Sequence, residues 1–210
     1  MSLTTDNNGA AAYRGGFGNP VLQGQGVFRI VMDAMARPGT IRSLEPAIAG
    51  VKPPSPLCVA AGAVALTLCD ADTSIWLTSA LRQSAAKAWV GFHTGAAFTE
   101  QRAESRFAFV EKGGVVPGFG QFALGTQEYP DRSTTLVLEI EALSGGMPMT
   151  ASGPGIREAI EFSPRGLPDV FAALWAENRA LFPRGVDLIL VAGADIVCLP
   201  RTTKLERREG

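Results

Sequence analysis

The stretch from Phe182 to Thr203 constrains the fold more than any other part of the chain. Within it two apolar runs, residues 186–192 and 196–199, flank Gly193-Ala194-Asp195. Leu and β-branched residues bounded by turn formers predict paired strands. The first run is apolar on both faces, so it belongs inside a sheet covered on both sides. Pro200 cannot donate to a ladder and ends the second strand. Arg201, Thr202 and Thr203 therefore leave a buried scaffold at a fixed place, a good position for a binding group.

Elsewhere helices come first and strands gather later. Pro20–Ala36 predicts a helix with Phe28, Val31, Met32 and Met35 on its apolar face and Arg29 and Asp33 off it. Arg37-Pro38-Gly39 stops it. A short strand is expected at 40–44 and a surface connection at 47–54. The second helix is expected to begin at Ser55-Pro56, with Ser as cap and Pro at the first helical position, and to run to Leu68. Its small residues predict close packing. Asp70, Asp72 and Thr73 make a turn before a short buried strand at 74–78. Ser79 is expected to cap a third helix over 80–90. Gly91 to Gly95 should stop that helix and leave His93 and Thr94 just past its end.

Further strands are expected at 107–111 and 134–143, with a short turn of helix near 121–124. Ser144-Gly145-Gly146 should return the chain into a partner strand at 147–152. Gly153-Pro154-Gly155 should lead to another at 156–162, an antiparallel meander. A last helix at 167–181 should bury Val170, Phe171, Leu174, Trp175 and Leu181. The pattern predicts an α/β fold: a single three-layer domain over 20–203, a mixed β-sheet flanked by helices. Residues 1–19 read as a flexible tail with Tyr13 and Phe17 as candidate anchors, and 204–210 as a charged tail.

Composition narrows the function. A length of 210 residues fits one domain with a sizeable core. A formal net charge of −1 without a basic patch argues against nucleic acid or an anionic membrane as partner. The apolar runs are too short and interrupted to span a bilayer. The N-terminus lacks the basic-then-apolar pattern of a signal peptide, which makes the cytoplasm the expected compartment. Cys58, Cys69 and Cys198 sit in apolar runs and read as buried reduced thiols. His93 is the only histidine and the cysteines lack ligand spacing, so no metal site is expected.

Arg201, with Thr202 and Thr203, is the best anion-binding candidate, because the planar guanidinium meets phosphate bidentately. The competing reading is an edge arginine paired with a carboxylate. Arg29 and Arg37 are weaker candidates, since helices carry solvated arginines routinely. Asp72 and Thr73 are candidates because Asp70 and Asp72 together suit Mg²⁺ or acid–base work, although capping a turn is the commoner use of such residues. His93 and Thr94 are candidates for a loop-borne role, against a structural hydrogen bond. The two Gly-rich turns precede strand-like sequence instead of a helix, so neither reads as a phosphate loop. Nucleophile elbow, dinucleotide fingerprint and zincin motif are all missing from the sequence.

Taken in order, spaced segments of the chain resemble the PhnH family of the bacterial carbon–phosphorus lyase system. They are Phe28-Arg29 with Met35 and Pro38-Gly39; Leu66-Thr67-Leu68 with Asp70, Asp72-Thr73 and Trp76-Leu77; and Phe92-His93-Thr94. Further on come Leu143 to Gly146, Gly153 to Ile156, Phe182-Pro183 with Gly185, Asp187 to Leu190, and Leu199 to Thr203. The resemblance implies a core like the large domain of fold-type I PLP-dependent transferases, without PLP or any other cofactor. It implies self-pairing as a homodimer when isolated, and assembly with the sister subunits PhnG, PhnI and PhnJ. With PhnG, PhnI and PhnL it implies a part in transferring ribose triphosphate from ATP to an alkylphosphonate such as methylphosphonate, before PhnJ cleaves the carbon–phosphorus bond. Two rival readings stand beside this one. They are an autonomous transferase gripping a phosphorylated ligand at Arg201-Thr202-Thr203 with Asp72 or His93 assisting, and a homodimeric interaction module without catalysis.

Overall fold

The computed structural model describes residues 13–207. Its strands, in chain order, are β1 Arg42–Ser43, β2 Ser74–Leu77, β3 Ala97–Phe98, β4 Phe107–Val110, β5 Thr135–Glu139, β6 Met149–Ser152, β7 Ile160–Phe162, β8 Asp187–Ala192, β9 Asp195–Leu199 and β10 Lys204–Arg207. Its α-helices are α1 Pro20–Ala36, α2 Val59–Leu68, α3 Ser79–Gln83, α4 Ala85–Thr94 and α5 Phe171–Ala180. Seven strands form one sheet in the order β1-β9-β8-β5-β4-β2-β3. The run from β3 to β8 is parallel, and β9 and β1 join it antiparallel. A separate antiparallel sheet has the order β10-β6-β7.

Two-residue alternation divides the large sheet between two cores. Ile75, Leu77, Phe109, Val137, Ile189, Val191, Ile196 and Cys198 pack on one face with Val27, Val31 and Ala34 of α1, with α2, and with Trp89 and Val90 of α4. Trp76, Ala108, Val110, Leu136, Leu138, Leu188, Leu190, Val197 and Leu199 pack on the other with α5 and the small sheet. Each fully buried Val, Leu or Ile contributes on the order of 2 kcal/mol. The fold is α/β, with mixed sheets flanked by helices, as the order of elements predicts. The β8–β9 hairpin forms as expected, turning at Gly193, and both strands are buried throughout their centres.

Several expected boundaries shift, each for a local reason. Helix α2 starts at Val59, not at Ser55-Pro56: Leu57 N–H bonds Pro54 O in a turn, and Cys58 Sγ accepts from Ala61 N–H as the cap. The single helix expected over 80–90 is two. Ser84 ends α3 and caps α4 through Ala86 N–H, and α4 runs on to Thr94, where Gly95 closes it at positive φ. His93 and Thr94 therefore belong to the last turn of α4, not to a following loop. Strand β6 does not pair with β5. It joins β7 and β10 in the other sheet, and β5 lies parallel between β4 and β8. The last helix spans only Phe171–Ala180, and Val170 is exposed.

Two expected tails also hold structure. Lys204–Arg207, placed in a charged tail, is β10. At the other end, Tyr13 packs edge-on against Phe92, Trp89 Nε1 donates to Arg14 O at 2.7 Å, and Lys52 N–H donates to Gly15 O at 2.8 Å. Phe17 packs on the core, while residues 1–12 of the expected tail lie outside the described residues. Finally, α1 turns its small side inward. Gly26 sits so close to Ala47 that a Cβ there would lie 2.9 Å from the Ala47 methyl. Val27, Val31 and Ala34 are buried, while Phe28 and Met32, expected on the apolar inner face, are exposed.

Candidate functional site

The residues singled out from the sequence do not converge. Arg201 follows β9 at the amino-terminal edge of the parallel strands, beside the start of β8. Its side chain is 11% exposed, and all five of its N–H donors are occupied. Nε donates to Asp187 Oδ1 at 3.1 Å, Nη1 to Pro130 O at 2.8 Å and to Pro183 O at 3.3 Å, and Nη2 to Ser133 Oγ at 2.5 Å and to Asp187 Oδ2. The competing reading of this arginine, an ion pair with a carboxylate, is the observed one. Thr203 is buried, and its carbonyl accepts from Trp175 Nε1 at 2.8 Å. Thr202 lines a cavity of about 320 Å³ with Pro154, Arg179 and Phe182.

Asp72 is exposed in a turn built by Asp70, whose Oδ1 accepts from Asp72 N–H at 3.0 Å and from Thr73 Oγ1 at 2.8 Å. That is turn capping, and it again lies at the amino edge, just before β2. Arg29 is exposed on α1, and Arg37 pairs with Asp33 four residues earlier. Thr94 Oγ1 bonds back to Val90 O at 2.8 Å. His93 is wedged between Trp89 and Phe92, with ring centroids 4.9 and 5.0 Å away. Desolvation lowers its pKa, partly offset by a hydrogen bond to the Arg14 backbone.

Open α/β sheets bind ligands beyond the carboxyl ends of their parallel strands. Here that edge carries a polar cluster which the sequence reading missed. Two cavities open on it. One of about 650 Å³ is lined by Trp76, Thr78, Arg102, Glu111, Gln121 and the Gly113–Gly118 loop. The other, of about 370 Å³, is lined by residues 53 and 55–58 with Lys112 and Glu139. Thr78 Oγ1, just past β2, donates to Glu111 Oε2, just past β4. The Arg102 guanidinium lies 4.8 Å over the Trp76 ring, and its Nη1 donates to Gln121 Oε1 at 2.9 Å.

Glu139, the last residue of β5, accepts from Lys112 N–H and from the Cys58 thiol. Burial holds its pKa above the ordinary carboxyl value, and the Glu111 charge adds to that shift. The Cys58 thiol is pushed up to about 12, first by burial and then by the Glu139 charge. It is a thiol at neutral pH and no nucleophile. The cleft thus offers two cations, a carboxyl biased toward protonation and a Gly-rich rim. These groups suit holding a polar ligand or a partner's polar chain. A nucleophile with its own base and orienting group is not among them. Among the described residues, no group of three or more His, Cys, Asp or Glu could hold a metal ion, and no helix is long and apolar enough to cross a membrane.

Comparison with known proteins adds what geometry alone does not. The model of the family described as bacterial phosphonate metabolism protein (PhnH) matches residues 15–206. The chain is 62% identical over 195 residues, 93% of its own length and 96% of the relative's, to the alpha-D-ribose 1-methylphosphonate 5-triphosphate synthase subunit PhnH of Rhizobium meliloti (strain 1021). It is 35% identical over 82 residues, 39% of its length and 42% of the relative's, to the putative C-P lyase subunit protein HtxG of Stutzerimonas stutzeri.

Proposed function

The chain belongs to the PhnH family of bacterial phosphonate metabolism proteins, and from that premise we propose that it is a non-autonomous subunit of the carbon–phosphorus lyase system. Its part is to support transfer of ribose triphosphate from ATP to a phosphonate such as methylphosphonate. The observation that carries this reading is the 62% identity, across nearly the whole of both chains, to a protein named as a subunit of that synthase. A cleft without a complete catalytic set agrees with a subunit that completes a shared site.

The partners in this proposal are PhnG, PhnI and PhnJ, and a second copy of the chain when it is isolated; the setting is the cytoplasm. The finer likeness, to the large domain of fold-type I PLP-dependent transferases without PLP, belongs to the proposal too. The mixed seven-stranded sheet between helical layers supports it. Arg29, Asp72 and Thr202 keep accessible groups for a partner or an anion. An autonomous transferase gripping phosphate with Arg201 would need a free guanidinium, and that guanidinium is fully engaged within the chain.

The test is formation of the ribose-triphosphate ester of methylphosphonate from ATP, with the chain alone, with the sister subunits PhnG, PhnI and PhnL, and with those sisters minus the chain. Turnover is expected only in the complete mixture. Full turnover by the isolated chain, or by the sisters without it, overturns the proposal.

A further inference from the structure

The cavities at the carboxyl edge of the large sheet are parts of one groove. Gly113 lines both the cavity of about 650 Å³ past β2 and β4 and a further one of about 480 Å³ beside Ile140, Glu141 and Gly166. Lys112 lines that further cavity and also the one of about 370 Å³ at Glu139. Small-molecule sites have this size, and in open α/β sheets they stand at this edge.

The cations of the groove are unspent. Of the five N–H donors of Arg102, one has a partner, Gln121 Oε1, and its Nε is buried without any. Arg201, at the opposite edge, has all of its donors engaged. The Trp76 ring supports the Arg102 guanidinium from 4.8 Å. Among the described residues, the exposed Lys112 ammonium makes no hydrogen bond or ion pair. In the loop after β4, the N–H groups of Gly113, Val115, Val116 and Gly118 likewise have no partner among the described residues. A guanidinium fork beside unpaired backbone amides suits a tetrahedral oxyanion.

A bare oxyanion is a poor fit, because a carboxylate shares the cavity. Glu111 Oε2 accepts from Thr78 Oγ1, while Oε1 has no partner among the described residues. Gly114 keeps Oε1 uncovered, since a Cβ there would lie 3.0 Å from it. A carboxylate oxygen repels phosphate but accepts from a hydroxyl, as the acidic residue of dinucleotide-binding folds does from ribose. The ligand that satisfies both groups carries hydroxyl donors beside its anion. Burial biases Glu139 toward its neutral form, so that carboxyl adds little repulsion.

We propose that this groove binds a sugar phosphate, with the phosphate on Arg102 and the loop N–H groups and the sugar hydroxyls on Glu111. The inference rests on the reading of the chain as a subunit for ribose-triphosphate transfer, and it gives that reading a site within this chain. The two fail separately: synthesis that needs the chain, with no sugar phosphate bound by it, spares the subunit reading and overturns the groove.

The test is calorimetric titration of the full chain with ribose 5-phosphate, ribose and inorganic phosphate. Ribose 5-phosphate should bind one per chain, at least tenfold more tightly than either of the others. Arg102→Met, which keeps an apolar contact with Trp76, should weaken that binding at least tenfold. Lys112→Gln, at a surface position where folding is not at stake, should weaken it severalfold. Arg157→Gln removes the same charge from the β6–β7 connection and should change nothing. Glu111→Gln should move the two anions in opposite directions, weakening ribose 5-phosphate and tightening inorganic phosphate. Binding should change the tryptophan fluorescence, and Trp76→Phe should abolish that change while the binding heat remains. No binding of ribose 5-phosphate, equal affinity for inorganic phosphate, or a Glu111→Gln variant that moves both anions the same way would each overturn the proposal.

Discussion

Asp187 holds Arg201 with both carboxylate oxygens, Oδ1 on Nε and Oδ2 on Nη2, and Oδ1 also accepts the Arg201 backbone N–H at 2.8 Å. Through this pair the start of β8, the end of the β9 segment and the loops at Pro130, Ser133 and Pro183 are fastened together. Arg201→Ala should cost about 2–4 kcal/mol, since a half-buried carboxylate and two carbonyls lose their donors. Arg201→Lys should recover little, because one ammonium cannot reproduce a planar fork. Urea midpoints will check both. An unchanged midpoint would mean the guanidinium is idle in the fold and available to a ligand.

Asn178 is buried, and it bonds Val186 twice: Nδ2 donates to Val186 O at 2.9 Å, and Oδ1 accepts from Val186 N–H at 2.8 Å. Asn178→Leu leaves both backbone groups without partners away from water. The expected loss is about 2–5 kcal/mol, read as a lowered thermal midpoint.

His93 sets a pH dependence at the N-terminal segment. Its folded-state pKa lies below its ordinary value of 6.5, so the unfolded chain takes up the proton first. The histidine's contribution is present above pH 6.5 and is lost as pH falls through the lowered value. Between pH 7 and 5, hydrogen exchange at residues 13–17 should slow less than the intrinsic chemical rate does, because opening becomes easier. His93→Gln should flatten that response.

Glu139 behaves with the opposite sign. Its folded-state pKa is raised, so the folded chain keeps the proton longer. That favourable contribution is complete below about pH 4.5 and is lost as pH rises through the raised value. Glu139→Gln removes the cost of a buried charge and keeps an acceptor for Lys112 N–H. The variant should melt higher than the unsubstituted chain at pH 7, with the gap closing as the buffer is acidified through the carboxylate range. A gap that is constant with pH would show that Glu139 does not titrate differently on folding.

The sequence was legible where local chemistry decides structure. The β8–β9 hairpin follows from two apolar runs around a glycine turn. The start of α1 follows from Asn19, whose Oδ1 accepts from Leu22 N–H at 3.1 Å, with Pro20 behind it. It was not legible where distant segments decide. The same alternation serves β5 whether its neighbour is antiparallel β6 or parallel β4 and β8, and only the assembled sheet selects. Two stripes of α1 both fit helical spacing, and contact with Ala47 picks the side with the smaller residues. Glu111, Lys112 and Glu139 look like ordinary strand-end charges one at a time. The order of strands brings them together, and a charge directly after each of two apolar runs was the one local hint.

The large sheet is blunt at both margins: β1 and β3, its outermost strands, are two residues each. So short a margin gives another chain almost no ladder to extend. Growth of this molecule into a larger assembly by strand addition is closed off on that sheet, and recognition there is left to side chains on helices and loops, whose geometry limits how many neighbours can be admitted.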